Sequence, residues 1–334
     1  MTNRRLFASL GLALALALPS GLYAASDPPR TLFYIFQASE RADGVTSKIW
    51  MSLHRDGLSV HDFDENGRLR IVRSTAPGGD LAAFRRALTD GQVGRQTSCR
   101  WVGPKPAAYS FFWIQADGVA HRFDASSAFL THRPCPAAVA RLSSASVAFV
   151  KAQEARPGAV RVDFAEDSED LQTSDAIPRE TAAVATGPDR RLLIRGSFGM
   201  ADRLVETRQG VGAYVFRDGL VVGDRFYGDD RGSTAYYTRG QASPAEMAEL
   251  TASLANARVG QLTSCKALGE PFSFSARYFW AGLGTRTNRF VASTESTEAE
   301  CPAALDVLDR AVDRIQLNVW SHPDTAVVRI SVGD

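Results

Sequence analysis

Short runs of alternating apolar and polar residues give way to stretches of helical period, and this whole order occurs twice along the chain. In the first half the alternating runs are Thr31–Gln37, Lys48–Leu53, Leu58–Phe63 and Leu69–Arg73. Their counterparts are Leu192–Ser197, Gly212–Phe216, Leu220–Tyr227 and Thr234–Thr238. A period of two suits strands that bury one face. A helix follows in each half, with Leu81, Phe84 and Leu88 at helical spacing in the first and Met247, Leu250 and Leu254 in the second. Ser243-Pro244-Ala245-Glu246 predicts a capping box with proline at the first helical position. Pro77-Gly78-Gly79-Asp80 is a weaker start. An aromatic strand comes next, ending in Trp113 or Trp280, then a strand ending in Phe123 or Phe290. A final helix carries Val139 and Leu142, matched by Leu305 and Leu308, and a strand at Ala159–Phe164 or Ala326–Val332 closes the unit.

The repeat is legible in identities as well as in pattern. Arg55-Asp56-Gly57-Leu58 returns as Arg217-Asp218-Gly219-Leu220, and Thr97-Ser98-Cys99 as Thr263-Ser264-Cys265. Self-similarity on this scale marks a duplicated domain. The expected fold class is α+β: a tandem duplication of a mostly antiparallel sheet domain with two helices and one disulfide inside each repeat. Repeat 1 is expected over 30–164 and repeat 2 over 191–332. Between them 165–190 is rich in Asp, Glu, Ser, Thr and Pro, the composition of a flexible linker.

The duplication also selects the cysteine pairing. Cys99 to Cys135 and Cys265 to Cys301 are both 36 residues apart. Only bonds within each copy survive duplication, so Cys99–Cys135 and Cys265–Cys301 are the predicted disulfides. No Cys-x-x-Cys is present to support a redox role. Residues 1–25 fit a signal peptide, with Arg4 and Arg5 before the apolar Leu6–Leu18 and small residues at the cleavage point. That apolar core is shorter than the ~20 residues that span a bilayer, so no membrane insertion is expected after cleavage. The expected location is the periplasm of a Gram-negative bacterium, or the outside.

Charge narrows the partners. Lys and Arg number 38 against 37 Asp and Glu, which leaves no basic excess for nucleic acid. Four histidines of repeat 1, His54, His61, His121 and His132, are the candidate metal or acid–base residues, because repeat 2 holds only His322. Their spacing does not make ligands converge locally, and no metal or other cofactor is expected. Asp62-Phe63-Asp64-Glu65-Asn66-Gly67 opens like a calcium loop, but Arg73 stands where the bidentate glutamate belongs, so Asn66-Gly67 is expected to be a hairpin turn. Gly-x-Ser-x-Gly and Ser-x-x-Lys are absent. Trp113 and Trp280 are expected in the two cores. These observations predict a non-enzymatic, exported, two-domain module that clasps another protein, such as an inhibitor or immunity factor. A hydrolase or metal enzyme specialised in repeat 1, and a structural envelope component, are the alternatives.

Overall fold

A computed structural model of the chain describes residues 30–115, 119–164, 189–202, 207–229, 232–267, 273–282 and 287–332. The expected signal peptide, and the linker up to residue 188, lie outside these. In repeat 1 the strands are β1 (Leu32–Ala42), β2 (Val45–His54), β3 (Leu58–Glu65), β4 (Arg68–Thr75), β5 (Cys99–Arg100), β6 (Ala107–Ile114), β7 (Ala120–Ser126) and β8 (Val160–Phe164). The helices are α1 (Gly78–Asp90) and α2 (Ala137–Glu154). Repeat 2 has the same order: β9 (Leu192–Asp202), β10 (Thr207–Phe216), β11 (Leu220–Asp229), β12 (Gly232–Gln241), α3 (Pro244–Asn256), β13 (Cys265–Lys266), β14 (Ser273–Ala281), β15 (Thr287–Ser293), α4 (Ala304–Ser321) and β16 (Ala326–Val332). Each set forms an eight-stranded sheet in the same order, β5-β7-β6-β1-β2-β3-β4-β8 and β13-β15-β14-β9-β10-β11-β12-β16. All pairings are antiparallel except β5–β7 and β13–β15.

Local chemistry fixes the turns. Asn66 and Gly67 have φ of 51° and 82° and join β3 to β4 as a two-residue hairpin, the expected turn. In the duplicated Arg-Asp-Gly loop the left-handed residue is the glycine alone, Gly57 at φ 89° and Gly219 at φ 85°. A Cβ on Gly57 would also lie 2.5 Å from the Ala76 carbonyl oxygen. The capping box of α3 is formed, with Glu246 N–H donating to the Ser243 hydroxyl, whereas α1 has no side-chain cap.

The other retained residues are explained in the same way. Ser98 and Ser264 hydroxyls accept the backbone N–H of Asp124 and Val291, each at 3.1 Å, and so dock the cysteine strand beside its neighbour. Gly94 and Gly260 make room for indole rings: a Cβ there would meet Trp113 at 3.3 Å and Trp280 at 2.8 Å. Both tryptophans pack against the helix-side cores, as expected. Both disulfides are present, Cys99–Cys135 and Cys265–Cys301.

The helices cover one face of each sheet. Leu81, Phe84 and Leu88 of α1 and Val139, Leu142 and Phe149 of α2 meet Tyr34, Phe36, Met51, Leu53 and Phe111. The opposite faces do not go to solvent. Leu58, Val60, Leu69, Ile71 and Phe164 of repeat 1 share one core with Leu192, Tyr214, Phe216, Val222 and Phe279 of repeat 2. Leu32, Ile35 and Phe112 share another with Tyr237 and Ile330. The expectation of strands with one buried face is therefore corrected for the central strands. Both faces are covered, and the molecule is a four-layer stack of helices, sheet, sheet and helices. The faces that a two-domain clasp would offer a partner are occupied by each other.

The Arg-Asp-Gly copies lock this contact reciprocally. Arg73 of β4 donates to Asp218 at 2.7 Å, and its counterpart Arg239 of β12 donates to both oxygens of Asp56 at 2.7 and 2.8 Å. The arginine of each loop serves its own repeat. Arg55 donates to the Ile114 and Gln115 carbonyls, and Arg217 to the Ala281 carbonyl. One motif thus ties its own sheet with its first residue and the other sheet with its second.

Removing one partner of a buried ion pair leaves the other charge without compensation. Arg73 and Asp218 side chains are 9% and 13% exposed, against 12% and 32% for Arg239 and Asp56. Asp218→Ala is expected to cost about 2–3 kcal/mol in urea unfolding, and Asp56→Ala about half that, because water reaches Asp56. Equal losses would show that burial does not govern the two pairs.

Candidate functional site

Three groups of residues carry chemistry: a charged cluster between the sheets, the histidines of repeat 1, and an exposed row on the second sheet. The cluster is built on register. Asp62 on β3 and Asp224 on β11 are counterparts in the repeat, and both point toward the opposing sheet. Arg195 on β9 reaches Asp62 at 2.9 Å, and the Tyr214 hydroxyl donates to the same carboxylate at 2.7 Å. The guanidinium also lies 5.2 Å from the centres of the Tyr214 and Phe279 rings, and Trp50 stacks on Tyr214 at 5.1 Å. Burial works against the Arg195 charge, but Tyr214 and Asp62 outweigh it and hold the group firmly protonated. Repeat 1 has Ile35 and Ser52 where repeat 2 has Arg195 and Tyr214, so the mirror-image ion pair cannot form and Asp224 has no arginine of its own. Burial pushes its carboxyl up to about 6, with Arg195 opposing and Asp62 adding. The cluster is enclosed by the two sheets and holds them in register.

The histidines are dispersed. His54 is buried at the end of β2, its Nδ1 3.0 Å from the Arg30 carbonyl oxygen. His61 is buried on the opposite, helix-side face of the sheet, 3.9 Å from Glu154. Burial lowers both rings to about 3, helped by Arg239 at His54 and by Arg70 at His61, so both are neutral at physiological pH. His121 accepts from the Gln115 amide at 2.7 Å beside Trp113, and His132 stacks on Phe129 in the loop before Cys135. The structure brings no two of the four together. Among the described residues no group of three or more His, Cys, Asp or Glu side chains is arranged to hold a metal ion. Asp62, the first residue of the calcium-like run, faces Arg195 instead.

The exposed row was not visible in the sequence. Met200 pairs with Phe274 on one side and with Gln209 on the other, and Gln209 pairs with Tyr227. Directly paired residues share a sheet face, so Phe274, Met200, Gln209 and Tyr227 form one line across β14, β9, β10 and β11. Phe198 packs in the same helix-side core two residues away on β9. Met200 and Tyr227 are 38% and 41% exposed. Phe226, on the other face of β11, is 39% exposed and lies over Gly210, where a Cβ would clash with its ring. The identical register in repeat 1 reads Ala107, Glu40, Ser47 and Glu65. A half-buried and an exposed carboxylate in one copy are an exposed thioether and an exposed phenol in the other. Only a register-exact alignment of the two halves reveals this.

Behind the row lies a second substitution between copies. In repeat 1 the Tyr109 hydroxyl donates to Glu40 at 2.7 Å and has Ser143 of α2 as a further hydrogen-bonding partner. The equivalent triplet in repeat 2 is Ala276, Met200 and Asp309 of α4. The Asp309 Oδ1 is buried and has no hydrogen-bond partner, and burial pushes that carboxyl up to about 7.

The titration of Asp224 gives a signed expectation. Its folded value lies above the ordinary 3.8, so the folded state holds the proton more tightly, and stability falls as pH rises from about 4 through about 6. Asp224→Asn, measured by urea unfolding, is expected to stabilise the protein by about 2 kcal/mol at pH 7.5 and by nothing at pH 3.5. A gain independent of pH would show that the carboxylate is not the source.

No protein-family model matches the chain, and no curated protein matches it. Among solved structures, MucB in complex with MucA(peri) aligns over 86% of this chain and 92% of that one, at 11% identity and a TM-score of 0.13. A superposition at that level carries no argument about fold or function.

Proposed function

We propose that the chain is an exported protein-binding module that acts as one rigid two-repeat body and docks its partner on the helix-side end of the second sheet. The observation that carries this reading is the row itself. The two repeats build the same sheet in the same register, so the fold does not require Met200 and Tyr227 where Glu40 and Glu65 suffice. Methionine and aromatic residues are enriched at protein interfaces while Glu and Asp are depleted, and grouped exposed apolar residues mark interaction sites. The two intradomain disulfides support a compartment outside the cytoplasm. An inhibitor or immunity factor of the bacterial periplasm is the form this binding takes in our reading. Engagement is by one face of a packed body rather than by two separate domains closing on a partner.

The test is competitive capture. Full-length mature protein carrying Met200→Glu with Tyr227→Glu copies the residues that repeat 1 already tolerates at these positions, so the sheet is expected to fold unchanged. Capture from native envelope and secreted fractions is expected to fall at least tenfold relative to wild type, with the same unfolding midpoint. Undiminished capture by the folded double variant would remove this face from consideration.

A further inference from the structure

The loops that lead into the second cysteine of each repeat have diverged in opposite directions. Ala128-Phe129-Leu130-Thr131-His132-Arg133-Pro134 carries apolar residues, a histidine and an arginine, and no acid. Glu295-Ser296-Thr297-Glu298-Ala299-Glu300 carries three glutamates and no base. The same backbone bonds hold both. Arg100 N–H donates to the Arg133 carbonyl and Cys135 N–H to that of Arg100, as Lys266 N–H does to Ala299 and Cys301 N–H to Lys266. Each loop is then closed by its disulfide, so the scaffold requires neither composition. In repeat 1 the Arg100 guanidinium also donates to the Leu130 carbonyl at 3.4 Å, and Phe129 stacks on His132. That leaves the Leu130 side chain 78% exposed, with Val102 of the loop after β5 at 62%. Lys105, Arg133, Glu298 and Glu300 are all exposed. The two sheets lie over one another in opposite strand order: β1 and β6 face β12 and β16, while Phe164 of β8 meets Phe279 of β14. Since β5 lies beyond β6 and β13 beyond β14, the two loops sit at opposite edges of the stack.

We propose that the chain associates head to tail with further copies of itself, the apolar and basic loop of repeat 1 in one molecule docking on the acidic loop of repeat 2 in the next. Charge complementarity carries the inference. A basic end that served some other anionic surface would leave the three glutamates of the opposite end unexplained, whereas pairing the ends accounts for both. Arg133 and Lys105 set the direction of the contact against Glu298 and Glu300, and Leu130 and Val102 bring apolar surface to bury. The contact is heterologous, so each molecule added leaves one end of each sign open, and growth passes beyond a dimer unless a ring closes. Neither Met200 nor Tyr227 takes part, so this association stands or falls apart from the docking face proposed above.

Sedimentation velocity of the full mature chain tests the pairing. At about 0.01 M NaCl, where charges act over roughly 30 Å, the sedimentation coefficient is expected to rise with protein concentration. At about 1 M, where that reach is roughly 3 Å, it is expected to stay at the monomer value. Arg133→Glu with Lys105→Glu gives a molecule with two acidic ends, and Glu298→Arg with Glu300→Arg one with two basic ends. All four positions are exposed, so both variants are expected to keep the wild-type unfolding midpoint. Each alone is expected to associate at least tenfold more weakly, because like charges meet, and an equimolar mixture of the two to recover association. Leu130→Ser is expected to weaken association while leaving its salt dependence in place. A wild-type monomer at every concentration and salt, or a mixture as weak as its components, would overturn head-to-tail pairing. Monomeric wild type that binds phosphatidylglycerol vesicles, with binding lost in Arg133→Glu with Lys105→Glu, would overturn it as well and assign the basic loop to an anionic surface.

Discussion

Each repeat folds a sheet whose second face is too apolar to leave in water, and the rest of the molecule follows from that constraint. Leu58, Val60, Leu69 and Ile71 on one sheet and Leu192, Phe216 and Val222 on the other are buried only because the sheets cover one another. Helices already occupy the remaining faces. Apolar contact alone would allow the sheets to slide, since area burial is non-directional. The reciprocal pairs Arg73–Asp218 and Arg239–Asp56, with Arg195 and Tyr214 converging on Asp62, supply the direction. The Asp of the duplicated loop is kept in both halves because each half needs the other's arginine.

Against that shared frame, the differences between the copies become informative. Arg195 and Tyr214 in place of Ile35 and Ser52 make the contact unequal, so that one aspartate is paired and burial raises the carboxyl of its counterpart Asp224. Met200, Tyr227, Ala276 and Asp309 in place of Glu40, Glu65, Tyr109 and Ser143 change the chemistry of one end of the second sheet. The first set lies between the sheets and serves assembly. The second set includes the exposed Met200 and Tyr227, and none of its members is needed to build the sheet, since repeat 1 does without them.

Much of the fold was legible in the sequence. The α+β class, the strand order along the chain, the α3 capping box, the Asn66-Gly67 turn, the tryptophans in the cores and both disulfides follow from period, turn chemistry and duplication. The sequence left the face-to-face packing open, although a signal for it was present. Leu32-Phe33-Tyr34-Ile35-Phe36 and Phe111-Phe112-Trp113-Ile114 are unbroken apolar runs, and a strand that is apolar on both sides is covered on both sides. Reading the alternation around Val60 as the rule hid this. The candidate site was less legible, because its members lie on β9, β11, β14 and α4 and meet only through register. Histidine counting pointed to repeat 1 for a composition difference that the structure distributes over two sheet faces and a loop.

The reciprocal pairs also impose an order on assembly. Most ladders in each sheet join neighbouring strands, whereas Arg73–Asp218 and Arg239–Asp56 span 145 and 183 residues. Long-range closure is slow relative to local hairpins. A chain made from its N-terminus therefore completes the first sheet while the surface that will cover it does not yet exist. During that interval an apolar face the size of a whole sheet is open, and the surface it matches is also carried by every other copy of the chain. The same aspartates and arginines sit on every copy, so what favours closure within one molecule is that its second repeat is tethered to the first, which raises its effective concentration above that of a neighbour.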